Sequence, residues 1–240
     1  MKYWDLSLRT PSENLACDEV LLQLAEENGE TAEVLRVWEP VQYFVVVGYA
    51  NRAASEVNLE FCEANTIPVL RRCSGGGAIL QGPGCLNYSL VLRIAESNAF
   101  GSIPATNDFI LKRHQAALGE LLQARVEIQG HTDLAVGGLK LSGNSQRRKK
   151  DFLLFHGTFL LHLDISMVEK ALPMPSKKPD YRLARSHSDF LMNIKAPAGR
   201  VKQALAKCWD ATEQPGTIPF ERISALANDK YSKEDWNLKF

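Results

Sequence analysis

Three short stretches hold the residue types that could do chemistry. The first is Arg71-Arg72-Cys73-Ser74-Gly75-Gly76-Gly77-Ala78-Ile79-Leu80. Three consecutive glycines pack nothing and weaken a strand, but they let a backbone approach a ligand and turn its N–H groups toward an anion. The two arginines before them supply guanidinium forks suited to phosphate or carboxylate. In the second stretch, running from Gly137 to Gln146, Lys140 sits between Leu139 and Leu141. If the leucines face a core, Lys140 faces the other side of the sheet. Ser142 and Gly143 are small enough to admit a ligand beside it. A lysine so placed can neutralise a phosphate or polarise an acyl carbonyl. The third stretch, His156-Gly157-Thr158, interrupts an apolar run, and Gly157 suggests a close backbone approach. Asp133 is a candidate acid beside a metal–phosphate complex. A lone strand lysine is ordinarily solvated and a lone strand histidine ordinarily structural, so the combination carries the signal.

Common nucleotide loops do not fit. No Lys follows the glycines, as the P-loop requires, and a Rossmann turn would open a helix, whereas this loop joins strand to strand. The 240 residues balance 28 Lys and Arg against 28 Asp and Glu, which argues against nonspecific nucleic-acid binding. Five cysteines lie at 17, 62, 73, 85 and 208. Their odd number and the lack of C-x-x-C point to reduced thiols in a cytoplasm and to no zinc site. There is no apolar run long enough for a membrane span and no signal-peptide core. The run Arg147-Arg148-Lys149-Lys150 is a solvated loop or a contact for an acidic partner, as is the basic loop over 176–185.

Certain elements must position these residues. The pattern predicts a strand over 2–8, a helix capped by Ser12 and ended by Gly29, and strands over 34–38 and 43–47. A helix over 55–64 and a strand over 67–70 lead into the glycine loop, and a strand over 88–94 leaves it. A helix over 108–122, capped by Thr106 or Asn107, precedes strands over 126–128, 133–136 and 139–142, the last two joined by Gly137-Gly138 as a hairpin. The longest later strand covers 152–162. Helices follow over 166–171, 199–212 and 221–227, with a loop over 174–185. Without a βαβ rhythm, the reading is one α+β domain over 1–240, with helices flanking a mainly antiparallel, mixed sheet.

These pieces resemble the lipoate–protein ligase family of biotin/lipoate attachment enzymes. The matching segments are N-L-A-C-D-E-V-L-L at 14–22, V-V-V-G at 45–48, E-V-N at 56–58, I-P-V-L-R-R-C-S-G-G-G-A at 67–78 and L-N-Y-S at 86–89. They continue with T-D-L-A-V at 132–136, G-L-K-L-S-G-N-S-Q at 138–146, H-G-T-F-L-L at 156–161 and K-Y-S-K-E-D-W-N at 230–237. The resemblance implies a catalytic fold like that of class II aminoacyl-tRNA synthetases and biotin ligases. It implies two half-reactions: lipoate attacks the α-phosphate of ATP, then an acceptor lysine takes the acyl group from lipoyl-adenylate. Lys140 matches the central lysine that touches both carbonyl and phosphate. Arg72, Ser74 and the backbone of Gly75, Gly76, Gly77, Ala78, Ile79 and Leu80 match the adenylate loop. Asn87, Asp133, Ser142, Gly143, His156, Gly157 and Thr158 fall at further motif positions, with Asp133 a candidate to meet Mg²⁺ through phosphate. The implied substrates are ATP with Mg²⁺ and lipoate or octanoate, with no prosthetic group. The implied partner is a lipoyl-domain or H-protein-like acceptor, with no nucleic acid or membrane, and the enzyme is expected to be a monomer. An apolar tunnel for the acyl chain would draw on 43–47 and on Ile79-Leu80.

Departures from the family pattern keep other readings in view. Tyr49-Ala50-Asn51-Arg52 follows V-V-V-G where the family has Arg and a nearby Gln. Gln81-Gly82-Pro83 replaces His-Asp, and Gly-Pro-Gly is similar to the octanoyltransferases. The sequence stops at Phe240 without room for a C-terminal accessory domain, so a separate accessory chain is one expectation. The main rival is a transferase using a cysteine thioester without ATP. However, no cysteine lies in 167–185 or 124–139, where such enzymes of this superfamily carry one. A silent lipoyl- or adenylate-binding module is the third reading.

Overall fold

A computed structural model gives the fold and describes residues 1–28, 33–94 and 98–240. In chain order the elements are β1 (Lys2–Asp5), α1 (Pro11–Asn28), β2 (Val34–Trp38), β3 (Phe44–Val47), α2 (Ala53–Glu56), α3 (Leu59–Ala64), β4 (Val69–Arg71), β5 (Ile79–Gln81) and β6 (Cys85–Arg93). Next come α4 (Ile103–Leu122), β7 (Val126–Gln129), β8 (Asp133–Val136), β9 (Leu139–Arg148) and β10 (Phe152–Leu160). The chain finishes with α5 (Ile165–Ala171), α6 (His187–Phe190), α7 (Ala198–Cys208), α8 (Phe220–Leu226) and α9 (Glu234–Asn237).

Seven strands form one sheet in the order β1-β2-β6-β10-β9-β8-β7, and β4-β3-β5 form a second. Most neighbours are antiparallel, but β1 pairs with β2 and β3 with β4 in parallel. Each parallel pair is bridged by helix, so a β-α-β unit opens the chain despite the missing rhythm in the sequence. β6 and β10 are central and pair along nine positions. Their alternation feeds two faces. Leu86, Tyr88, Leu90, Phe155 and Phe159 join a core beneath α4 and α7. Val91, Phe152 and Leu154 pack against Leu15, Val20, Leu21 and Leu22 of α1. A third apolar cluster joins Val45, Val47 and Leu80 of the small sheet to Val168, Ala171 and Leu172.

Several boundaries differ from the sequence reading for identifiable reasons. Thr10, not Ser12, caps α1: its hydroxyl accepts from the Glu13 N–H while Glu13 accepts from the Thr10 N–H, a reciprocal capping box. The expected stop at Gly29 lies outside the described residues. Ser102 caps α4, its Oγ accepting from the Ala105 N–H, and Pro104 is tolerated in the first turn. Thr106 and Asn107 are therefore buried helical residues. The expected helix over 55–64 breaks into α2 and α3 at Val57-Asn58, where Asn58 caps the second piece. The Gly137-Gly138 hairpin is present, with φ of +56° and +75°. β9 runs through Gly143 to Arg148 because its whole length pairs with β10 or β8.

Candidate functional site

The polar residues of the site stand in two cross-strand rows on one face of the large sheet. In the first row Arg36 pairs with Ser89, Ser89 with His156, and His156 with Ser145. In the second, Trp38 pairs with Asn87, Asn87 with Thr158, and Thr158 with Gly143. The rows are two residues apart, about 7 Å along the strands. The opposite face takes the alternating Tyr88, Phe155 and Phe159 of the first core.

Lys140 reaches this face through an irregularity. Leu134 pairs with Ser142, but Ala135 pairs with Lys140, so Leu141 is an extra residue in β9. Strict alternation from Gly143 would place Lys140 on the core side. The bulge puts Leu141 in the core and turns Lys140 back to the site face. Its Nζ lies 2.8 Å from Asp133 Oδ1. The Tyr181 hydroxyl donates to Asp133 Oδ2 at 2.8 Å. Burial, reinforced by the Asp133 charge, pushes the Tyr181 phenol well above its usual range. Gly143 lies directly under the ammonium: a Cβ there would stand 2.9 Å from Lys140 Nζ.

The glycine loop hangs from β4. Arg71 is fully buried and donates to the carbonyls of Gly48, Tyr49, Asn51, Trp236 and Asn237, tying the C-terminal segment to the loop's base. Arg72 lies beneath the loop. Its guanidinium donates to the carbonyls of Gly75, Gly77 and Val46, and its Nε to Ser74 Oγ at 3.1 Å. Burial pulls its pKa down to about 10. Arg72 thus shapes the loop in this conformation, with its fork spent on carbonyls. Gly76 has φ +87°, a left-handed conformation favouring glycine. Gly75 and Gly77 have no atom within 4 Å of a Cβ position, so space over the loop is open. Ser145 Oγ donates to the Gly75 carbonyl at 2.9 Å, fastening the loop to β9.

His156 joins the loop to the core. Its Nε2 is 2.6 Å from Ser74 Oγ, and its Nδ1 is 3.1 Å from Asp18 Oδ2. Asp18 in turn pairs with Arg36 at 2.7 Å, both side chains almost wholly buried. Burial alone would raise the Asp18 carboxyl, but the His156 hydrogen bond and the Arg36 charge outweigh it and hold the group below its usual range. Beside this lies a second buried network, in which Gln81 Nε2 donates to Thr158 Oγ1 at 2.7 Å and Thr158 donates to Asn87 Oδ1 at 2.6 Å.

The structure therefore brings together Lys140, Asp133, Gly143, His156, Thr158, Asn87, Arg72 and the loop from Ser74 to Gly77. It turns the side-chain positions of four expected site residues, Ser142, Gly157, Ile79 and Leu80, away from them. Ser142 pairs with Phe159 and lies on the opposite face because of the bulge. Gly157 also faces away; its missing Cβ makes room for Asn144 and the Tyr88 ring, not for a ligand. Ile79 packs beside the α1 core and Leu80 in the third cluster, so the pair faces two different interiors. Arg148 is spent on Thr106 Oγ1 and the Phe100 carbonyl, which leaves Arg147, Lys149 and Lys150 as the exposed cations of that run. Asp18, Arg36 and Tyr181 were missed. A lone arginine inside Val34–Trp38 is a sequence signal for a buried ion pair; nothing comparable marks Tyr181.

Such a face, with a lysine–carboxylate pair and an open glycine loop above a sheet, has the groups to receive an anionic ligand. The family model described as Lipoyl protein ligase A/B catalytic domain matches residues 10–207, and the chain belongs to that family. It is 28% identical over 211 residues to Lipoate-protein ligase A subunit 1 of Thermoplasma acidophilum, covering 81% of this chain and 80% of that one. It is 29% identical over 261 residues to the octanoyltransferase LipM of Kyrpidia tusciae, covering 94% of each. The fold superposes on a crystal structure of lipoate-protein ligase A bound with ATP, with a TM-score of 0.80, 24% identity and coverage of 99% and 98%. Relatives of both chemistries thus match most of the chain. Among the described residues no helix is long and apolar enough to cross a membrane.

Proposed function

We propose that the chain is a lipoate–protein ligase. A lipoate or octanoate carboxylate oxygen attacks the α-phosphorus of ATP, pyrophosphate leaves, and an acyl-adenylate forms. The ε-amine of a lysine on a lipoyl-domain or H-protein-like acceptor then attacks the acyl carbonyl, and AMP leaves with the electrons of the broken C–O bond. The observation that carries this reading is the Lys140 ammonium, set by the bulge against Gly143 and Asp133 on an open face below the glycine loop. There it can meet a carboxylate oxygen and a phosphate oxygen together, stabilising charge in both half-reactions. Gly75 and Gly77 leave the loop backbone accessible to the phosphate. Asp133 suits a magnesium ion held mainly by phosphates, for which one or two protein carboxylates suffice. Among the described residues no cluster of three or more His, Cys, Asp or Glu could hold a metal by itself. When bound, such an ion neutralises phosphate charge.

The cysteines support the ATP-dependent reading over a thioester. Burial pushes the thiols of Cys17 and Cys208 up to about 11 and those of Cys73 and Cys85 up to about 12, and raises Cys62 as well. A thiol so raised is a poor nucleophile at neutral pH. The transferase remains the second reading, favoured by the LipM relative and by Gln81-Gly82-Pro83-Gly84. A third possibility within the ligase reading is that activation needs a separate accessory chain, in keeping with the Thermoplasma relative being one subunit. The deciding experiment is lipoate-driven ATP–pyrophosphate exchange on the purified chain. Exchange supports the complete ligase. Transfer from preformed lipoyl-adenylate without exchange assigns activation to an accessory chain. An acyl thioester formed from octanoyl donor without ATP overturns the proposal.

A further inference from the structure

Four polar residues run from the protein interior to the first residue of the glycine loop. Arg36 sits in β2 with no exposure, its guanidinium bound to Asp18, to the Asn14 side chain and to the carbonyls of Leu6 and Asn14. Asp18, on α1, gives its second oxygen to His156 Nδ1. His156 Nε2 faces Ser74 Oγ, and Ser74 is 1% exposed. Burying a charged pair where apolar side chains would fill the same volume is seldom a gain in stability. The pair is better explained by what it holds.

Hydrogen-bond roles propagate along this chain in one direction. An ionised Asp18 only accepts, so His156 must carry its proton on Nδ1. A neutral His156 then has a bare Nε2, which accepts from the Ser74 hydroxyl. Ser74, its proton so directed, offers its oxygen to Arg72 Nε at 3.1 Å. Arg72 holds the carbonyls of Gly75 and Gly77 from below. The order Arg36, Asp18, His156, Ser74, Arg72 thus ends on the peptide units that face open space.

We infer that Asp18 and Arg36 are positioning residues for the acyl-adenylate: they select the Nδ1–H form of His156, which orients Ser74 and sets the glycine loop where it meets the ligand phosphate. This rests on the ligase reading for the identity of the ligand, not for the tautomer. The charged groups facing His156 are Asp18 from α1, Arg36 behind it on β2, and Arg72 from the loop. A proton on Nε2 turns that nitrogen into a donor and reverses its bond to Ser74. Replacing Asp18 by a neutral isostere removes the acceptor charge that selects the Nδ1–H form.

The test uses the full chain with lipoyl-adenylate as probe. Binding is measured by calorimetry at one neutral pH for the unsubstituted protein, for Asp18→Asn, and for Asp18→Asn with Arg36→Gln, which removes both buried charges and guards against misfolding of the single variant. Nitrogen-15 histidine spectra, with His156→Gln for assignment among the five histidines, read the tautomer. The inference expects an Nδ1–H His156 in the unsubstituted protein, loss of that preference in both variants, and an affinity about tenfold weaker in both, the worth of about one hydrogen bond. A neutral His156 with its proton on Nε2, or variants whose affinity and tautomer match the unsubstituted protein, overturns it. If the unsubstituted chain does not bind lipoyl-adenylate at all, the ligase reading falls, and the spectra alone decide the tautomer.

Discussion

Gly143→Ala is the most economical test of the lysine site. An ideal Cβ at this position lies 2.9 Å from Lys140 Nζ, 3.0 Å from its Cε and 3.8 Å from Asp133 Oδ1. Ordinary non-bonded separation is about 3.5–4.0 Å, so the ammonium must retreat by about 0.6–1 Å. The atoms that give way are the far end of a flexible side chain, not backbone, and the residue sits in a paired strand. Folding should be unharmed, or slightly favoured by replacing glycine. A misplacement of about 1 Å in a positioning group can cost roughly 10²-fold in rate, which corresponds to about 2.7 kcal/mol of barrier. The assay is lipoate-driven pyrophosphate exchange beside a thermal melt. Exchange at the parent rate would show that Nζ does not sit where the chemistry needs it. A large loss of thermal stability would refute the view that only the lysine tip responds.

Lys140→Ala and Lys140→Arg should both keep their melting transition and lose about 10²–10³-fold in exchange and in transfer, since a guanidinium is too broad for the gap against Gly143; rescue by arginine would contradict this. Gly76→Val should weaken lipoyl-adenylate binding, because valine resists φ +87° and its Cβ would meet Arg72 Nη2 at 2.8 Å, whereas Gly77→Ala should leave folding unchanged by calorimetric unfolding. Arg147→Glu with Lys149→Glu should slow transfer to an acidic acceptor domain and weaken its dependence on salt; identical ionic-strength profiles would remove the docking role. Because the Asp18 pKa is lowered on folding, its stabilising contribution is complete above the unfolded carboxylate pKa and is lost as pH falls through the lower folded value. Asp18→Asn should therefore flatten the acid side of a melting-temperature profile.

The fold was legible where local pattern and tertiary demand agree. Phe152 to Leu160 alternates because its two faces meet different cores, and the Gly137-Gly138 turn adopts the positive φ values that its residues favour. It was less legible where pairing partners decide. β5 is three residues long and exists because Ile79–Gln81 pairs with Phe44–Val46 of the small sheet. The strand over Leu139 extends to Arg148 because β10 lies beside it, although Asn144, Ser145 and Gln146 have little strand propensity of their own. The parallel β1–β2 pair is likewise a product of α1 crossing one face of the sheet.

The site divides along the same line. Lys140, Asp133, Gly143, Thr158 and the glycine loop could be picked out because each is an unusual residue for its local setting. Their working partners were harder to see, because Asp18 to His156 and Tyr181 to Asp133 are separated by 138 and 48 positions. Lys140 shows how a local argument can reach the right face by an incomplete route. Opposition to Leu141 does place it away from the core, as expected from a lysine between leucines. Yet the same alternation carried on to Gly143 and Ser142 gives the reverse, and would put Ser142 at the site in place of the core side it occupies. Only the extra residue in β9 reconciles the two, turning Leu141 and Ser142 to one side and Lys140 to the other. Deleting that irregularity would leave every residue of the motif present and the ammonium on the wrong face of the sheet.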